Sequence, residues 1–266
     1  MRGRKRREVD EINLDIYYDK IISLYENNMI EEAIEKTREI IKNFPYSMEP
    51  YLWLGDLLFE SSDLTGALEA YKKAVEIDSN SSEVHSALSK IYFLMCNFED
   101  AERHIDIALN INPEEGEALY LKALLLDRQN NFSLSDMYMK KANLIDPENY
   151  PKPIAVSREK FEVIINVAFN KFLEKLRAIT ENINIEVSEV PSLEEIESGV
   201  SPLSLSRLVI NKNDKNNKFR IVLYRRNLLH FSQDEDELRE KINICLLQEI
   251  NKILSVIEKE INGGKK

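Results

Sequence analysis

At 266 residues, 43% hydrophobic and 31% charged, the chain has the length for one large domain or two ordinary ones and the composition of a folded rather than a disordered protein. Its formal net charge of −11 excludes a general nucleic-acid binder, which needs clustered Lys and Arg to neutralise phosphates. Seven glycines and eight prolines favour long helices over many tight turns and leave little room for a Gly-rich phosphate loop.

The chain opens with a basic and polar arm, residues 1–13, whose cations run from Arg2 to Arg7 before Glu8, Asp10 and Glu11. Without an apolar core behind those charges it does not read as a signal peptide. No stretch is long and apolar enough to insert in a membrane. The two cysteines, Cys96 and Cys245, lie far apart and imply no disulfide framework, so the expected compartment is the reducing cytoplasm.

From residue 14 to 149 the sequence repeats with a period of 34. Ala33, Ala67 and Ala101 lead to Ser135; Pro45, Ser79, Pro113 and Pro147 keep the same step. So do Ile40, Ala74, Ala108 and Ala142, and Leu24, Leu58, Tyr92 and Leu126. Four columns in one register predict four stacked helix–turn–helix units, at 14–47, 48–81, 82–115 and 116–149. The small residues let antiparallel helices approach, and the prolines stop the second helix of a unit. His85 falls on a packing column with Tyr17, Tyr51 and Leu119 and reads as a core-edge histidine rather than a ligand.

This pattern resembles the tetratricopeptide repeat (TPR). Leu54 and Gly55 match its Leu-Gly pair and Tyr71 its second-helix aromatic; the other units drift, with Lys20 and Ile21, Leu88 and Ser89, and Lys122 and Ala123 at the Leu-Gly place. The resemblance implies an α-solenoid whose first helices line a concave groove that binds a peptide or helix of a protein partner. Carried over, that groove includes Tyr18 and Tyr25 from the first unit and Leu52, Asp56, Phe59 and Glu60 from the second. Lys90 and Phe93 come from the third, and Tyr120, Leu124 and Asp127 from the fourth. Some relatives grip a C-terminal carboxylate there with Lys and Asn. Here Tyr18, Leu52 and Ser86 hold the Lys places and Ile22, Asp56 and Lys90 the Asn places, so that role is not expected. Acids around aromatic anchors suit a basic, amphipathic segment instead.

Pro151 and Pro153 mark a linker over 150–156. A small α+β domain is expected over 157–261, ahead of a tail at 262–266. Phe161 to Ile179 reads as an amphipathic helix with Ile164, Ala168, Phe172, Leu173 and Leu176 on one side. Ile183 to Val190 alternates as a strand, and Leu208 to Ile210 and Phe219 to Tyr224 read as two more, joined by a polar turn over Asn211 to Lys218. Glu235 to Ile261 is a long helix with Leu238, Ile242, Leu246, Ile250, Ile253 and Ile257 as its apolar stripe.

The runs Ile221-Val-Leu-Tyr-Arg-Arg-Asn, Asp234-Glu-Asp-Glu-Leu-Arg-Glu and Leu246-Leu-Gln-Glu-Ile resemble the minimal zincin-like metallopeptidase domain, over about residues 157–258. That family holds zinc with two His one helical turn apart and uses the Glu between them as general base. Here the five positions read Gln248, Glu249, Ile250, Asn251 and Lys252. A neutral amide and a cation replace the ligands, so no metal, no cofactor and no catalytic residue is expected. Gln248 and Lys252 read as a solvated helix face; the sharper alternative has the Lys252 ammonium at the former metal site, paired with Glu249. The functional expectation is a non-catalytic adaptor or scaffold with a pseudoenzyme domain. A metallopeptidase-like enzyme with an unconventional metal site and a self-assembling structural subunit stand as alternatives.

Overall fold

A computed structural model describes residues 14, 16–152, 154–175, 183–211 and 218–263. The basic arm, Pro153, the end of the expected helix at 176–179, the interior of the expected 211–218 turn and the extreme C-terminus lie outside the described residues. The chain divides into two compact units, 1–118 and 119–266. The repeat register places a boundary at the 150–156 linker; compactness instead divides the fourth repeat.

The first unit holds helix α1 (16–26) and α2 (Ile30–Asn43), α3 (Glu49–Glu60) and α4 (Leu64–Ile77), and α5 (Ser82–Leu94) and α6 (Phe98–Ile111). Helix α7 (Gly116–Arg128) opens at its end, and α8 (Phe132–Ile145) follows in the second unit. The second helices of the four repeats start at Ile30, Leu64, Phe98 and Phe132, one period apart, and stop two residues before the Pro45, Ser79, Pro113 and Pro147 column. The small column Ala33, Ala67, Ala101 and Ser135 is fully buried, as are Ala74, Ala108 and Ala142. Each unit turns through one residue of positive φ: Asn28, Ser62, Cys96 and Asn130, again one period apart. Gly would be the least strained residue in that backbone, and none of the four is Gly.

The Leu54-Gly55 match has a steric reason. The Tyr71 ring lies where a Gly55 side chain would be, with an added Cβ only 2.2 Å from ring atom Cε1. The same two columns hold Ser89 with Ile105, Ala123 with Met139, and Ile21 with Thr37, all buried. Small faces large or large faces small in each repeat, which conserves volume while the motif drifts.

The second unit continues with α9 (Arg158–Lys175), β1 (Ile183–Ser188), the short helix α10 (Leu193–Glu197), β2 (Ser206–Ile210) and β3 (Phe219–Tyr224). It closes with α11 (Arg225–His230) and α12 (Glu235–Gly263). The sheet order is β1-β3-β2, with β1 parallel and β2 antiparallel to β3. Leu238, Ile242, Leu246, Ile250 and Ile253 of α12 share one core with Phe161, Ile164 and Ala168 of α9 and with Ile221 and Leu223 of β3. Ile183, Ile185 and Val187 pack on it from one face of β1, as their alternation requires.

Candidate functional site

Two places bring chemistry-bearing side chains together. The first lies on the first helices of the repeats in unit 1. A cavity of about 250 Å³ is lined by Asp56, Glu60, Glu83, Glu115 and Glu117, with Lys90 the one cation in its lining. Leu52, Phe59, Ser86 and Ala87 supply its less polar wall. A second cavity, of about 160 Å³, shares Asp56 and Glu60 with it and opens between Tyr18, Tyr25 and Trp53. Tyr18 is exposed and leans on Trp53, with ring centroids 4.9 Å apart. Lys90 lies over the Phe59 ring at 4.9 Å and 3.4 Å from Glu117.

The Tyr71 hydroxyl donates to Asp56 Oδ1 at 2.7 Å. Burial pushes the Asp56 carboxyl up to about 6, against the Tyr71 hydrogen bond and Lys90 and with Glu83 and Glu60 adding to the rise. The residue as a whole remains exposed on its outer side. Glu83 is likewise raised, by burial and then by Glu115.

Of the residues expected in the groove, Tyr18, Tyr25, Leu52, Asp56, Phe59, Glu60 and Lys90 line these two cavities. Phe93 does not: it is 1% exposed and packs edge-on against Phe98. Within the second unit, Tyr120 meets Tyr150 with centroids 5.4 Å apart, and Leu124 and Asp127 are buried. Phe93, Leu124 and Asp127 therefore present no surface to a partner. Along the column Tyr25, Phe59, Phe93 and Asp127 exposure falls from 42% to 1%.

Asp127 is instead half of a buried ion pair. Arg226 Nε lies 2.9 Å from its Oδ1, and Arg226 Nη2 reaches Asp136 at 2.6 Å and Ser135 Oγ at 3.2 Å. His230 Nε2 lies 3.2 Å from Asp127 Oδ2. Burial first, then Arg226, lowers His230 to about 3, so the imidazole is neutral; Arg226 Nη2 also lies 3.1 Å from Nε2, so Nε2 accepts from Arg226 in one tautomer and donates to Asp127 in the other. Burial raises Asp127 to about 6 although Arg226 opposes it, while Asp127 and Asp136 raise Arg226 against its own burial. On both counts the pair is ionised at neutral pH. The cluster joins the fourth repeat to the α+β domain inside one unit.

The second place is where a metallopeptidase motif would stand, on α12. An open cleft of about 310 Å³ is lined by Ser204, Ser206, Cys245, Gln248, Glu249 and Lys252 among others. Gln248 and Lys252 face solvent, but Glu249 is 2% exposed. Its Oε1 accepts from Ser206 Oγ at 2.8 Å, and the Lys252 ammonium lies 2.8 Å from Oε2. Glu249 does not share that solvated face: it follows Leu246 by three residues and precedes Ile253 by four, which puts it on the buried stripe. That spacing was the available signal.

The run that carries the zincin resemblance is occupied elsewhere. The Tyr224 hydroxyl donates to Glu195, Arg225 holds Glu189 and the Val156 carbonyl, and Asn227 donates to the Pro202 and Ser204 carbonyls. Asn227 thus pins the loop on one wall of the cleft.

A zinc ion would need three or four deprotonated or neutral donors converging on one point. Gln248 offers an amide, Lys252 a cation, and burial keeps the Cys245 thiol above its usual range and therefore protonated. Among the described residues no group of three or more His, Cys, Asp or Glu is placed to hold a metal ion. The residues present do not fit zinc: Ser206 Oγ holds Glu249 Oε1, and the Lys252 ammonium lies beside Oε2.

Tetratricopeptide-repeat models match residues 18–82, 58–125 and 116–149, and a zincin-like metallopeptidase model matches residues 180–264. Protein O-mannosyl-transferase TMTC3 of Homo sapiens is 26% identical over 126 residues, 47% of this chain and 14% of its own length. A TPR repeat-containing protein of Methanocaldococcus jannaschii is 31% identical over 111 residues, 41% of this chain and 19% of its own. The chain thus spans less than a fifth of either relative. Among solved structures, Pseudomonas aeruginosa pilF is 17% identical with a TM-score of 0.46, covering 64% of this chain and 72% of that one. YrrB, described as a TPR protein with an unusual peptide-binding site, is 18% identical with a TM-score of 0.42, covering 50% and 68%. The chain therefore carries tetratricopeptide repeats over 18–149 and a zincin-like metallopeptidase domain over 180–264. No described helix is long and apolar enough to cross a membrane.

Proposed function

We propose that this chain, built of tetratricopeptide repeats and a zincin-like domain, is a non-catalytic adaptor that takes a basic, amphipathic segment of a protein partner in the groove of its first three repeats. The carrying observation is the charge of that groove: five carboxylates and one ammonium line its larger cavity, beside the exposed aromatic faces of Tyr18 and Tyr25. Aromatic anchors supply burial, and like-signed acids steer a cationic segment and reject an anionic one. The zincin-like domain is an inactive module in this reading, because Lys252 and Ser206 already occupy the Glu249 carboxylate. The two free cysteines fit a reducing compartment such as the cytoplasm.

The test is fluorescence anisotropy with two amphipathic helical peptides that share an apolar face, one with a Lys/Arg polar face and one with a Glu polar face. Binding of the basic peptide alone is expected, weakened by salt and by a Tyr25→Ala/Phe59→Ala variant. Equal binding of both peptides, or of neither, would remove the proposal.

A further inference from the structure

The larger groove cavity has a chemistry more specific than a general acidic surface. We propose that it is a receptor for a single arginine side chain of the partner segment, with Asp56 and Glu83 holding the guanidinium and the Ser86 hydroxyl accepting a further hydrogen bond. This rests on the reading that the groove takes a basic segment.

Three independent features converge. The first is the charge balance, with Asp56, Glu60, Glu83, Glu115 and Glu117 against Lys90, whose ammonium is already placed beside Glu117 and over Phe59. The second is Ser86, which lines the same cavity, is 2% exposed, and whose Oγ has no hydrogen-bond partner. Buried hydroxyls are nearly always partnered; this Oγ is closed off from open space, and a change of its rotamer into the cavity would bring it to an arginine N–H as the missing donor. The third is the wall of Leu52, Phe59 and Ala87, which suits the methylene stem of a long side chain whose charged end reaches the acids. Guanidinium fits better than ammonium because its five N–H donors fan out in one plane, and the acceptors here are separate groups on α3 and α5.

The raised Asp56 and Glu83 are in keeping with the same assignment: partial burial of each carboxyl comes first, acidic neighbours add to the rise, and an incoming cation would offset the repulsion of those neighbours. The groups acting on Asp56 are Glu60 from its own helix, Tyr71 from α4, and Glu83 and Lys90 from α5. Protonation of Asp56 removes the anion, so affinity falls as pH is lowered from 7 to 5.

The test uses the full chain with labelled methyl groups, following the Leu52 and Ala87 methyl resonances by NMR. The probes are the N-acetyl methylamides of arginine, lysine and citrulline, the last a neutral counterpart of arginine. The arginine probe is expected to shift both resonances saturably, the lysine probe to do so more weakly, and the citrulline probe not at all. Asp56→Asn, which can still accept from Tyr71, should weaken the arginine probe about tenfold or more. Ser86→Ala should weaken it without loss of fold, and Lys90→Gln should tighten it roughly two- to fivefold by removing a competing cation. Equal shifts from citrulline and arginine, no shift from arginine, or an Asp56→Asn variant that binds as the wild type would each overturn the assignment. If the basic helical peptide still binds while the arginine probe is silent, only the pocket is lost; if the peptide fails too, the groove reading falls with it.

Discussion

Replacing Arg226 with Met should destabilise the second unit. The guanidinium is 6% exposed and is the counter-charge for Asp127, whose side chain is 2% exposed. Taking away one partner of a buried ion pair leaves a desolvated charge and costs about 3–5 kcal/mol. Asp127 has an escape, because burial already pushes it to about 6, and without Arg226 it takes up a proton. The loss at pH 7 therefore belongs at the lower end, about 3 kcal/mol, or about 6–12 °C in Tm for a unit of this size. The sign with pH follows. In the variant the folded Asp127 is raised further above its unfolded value, the folded state binds more protons, and stability increases as pH falls. The deficit should be smaller at pH 5 than at pH 8. Urea unfolding followed by far-UV circular dichroism, with hydrogen exchange of α7 and α11, reads both quantities. The double variant Asp127→Leu/Arg226→Met removes both charges and should recover most of the loss. An Arg226→Met protein within about 0.5 kcal/mol of wild type would refute the reasoning.

Three further outcomes are expected. Gly55→Ala drives a Cβ into the Tyr71 ring and should cost about 1–3 kcal/mol in thermal unfolding, relieved by Tyr71→Leu in the same chain. His104 is lowered to about 4 by burial and by His85, whose Nδ1 lies 2.8 Å from its own. A folded value below the unfolded one gives stability that is present above about 6.5 and lost as pH falls towards 4, so His104→Gln should flatten that acid limb in a pH series of melts. Glu249→Ala should cost about 1–3 kcal/mol, because it strips Ser206 of its acceptor and empties a buried position; an effect below about 0.5 kcal/mol would restore the solvated-face reading.

The repeat was legible because it is local and periodic: one 34-residue register fixes which columns are small, which are large and where helices stop, and the second helices obey it residue for residue. The strand Phe219–Tyr224 and the α12 stripe were legible for the same reason, through periods of two and of 3.6. What the sequence withheld were facts of long-range partnership. Asp127 occupies a groove column, and nothing near it announces that Arg226, far along the chain, will bury it. Phe93 shares a column with Tyr25, yet Phe98 packs over it. Glu249 was a local fact overlooked: its place on the stripe was readable, while its Ser206 partner on β2 was not. The positive-φ column at Asn28, Ser62, Cys96 and Asn130 gave no warning because no Gly marks it.

The measurement that bears most directly on a binding rather than cleaving role is native mass spectrometry of the full chain with added zinc, beside Glu249→Ala. The donor set of Gln248, Glu249, Lys252 and Cys245 leads to the expectation of no stoichiometric zinc adduct, with wild type and variant alike. One zinc per wild-type chain, lost in Glu249→Ala, would contradict it and return the α12 cleft to metallopeptidase chemistry.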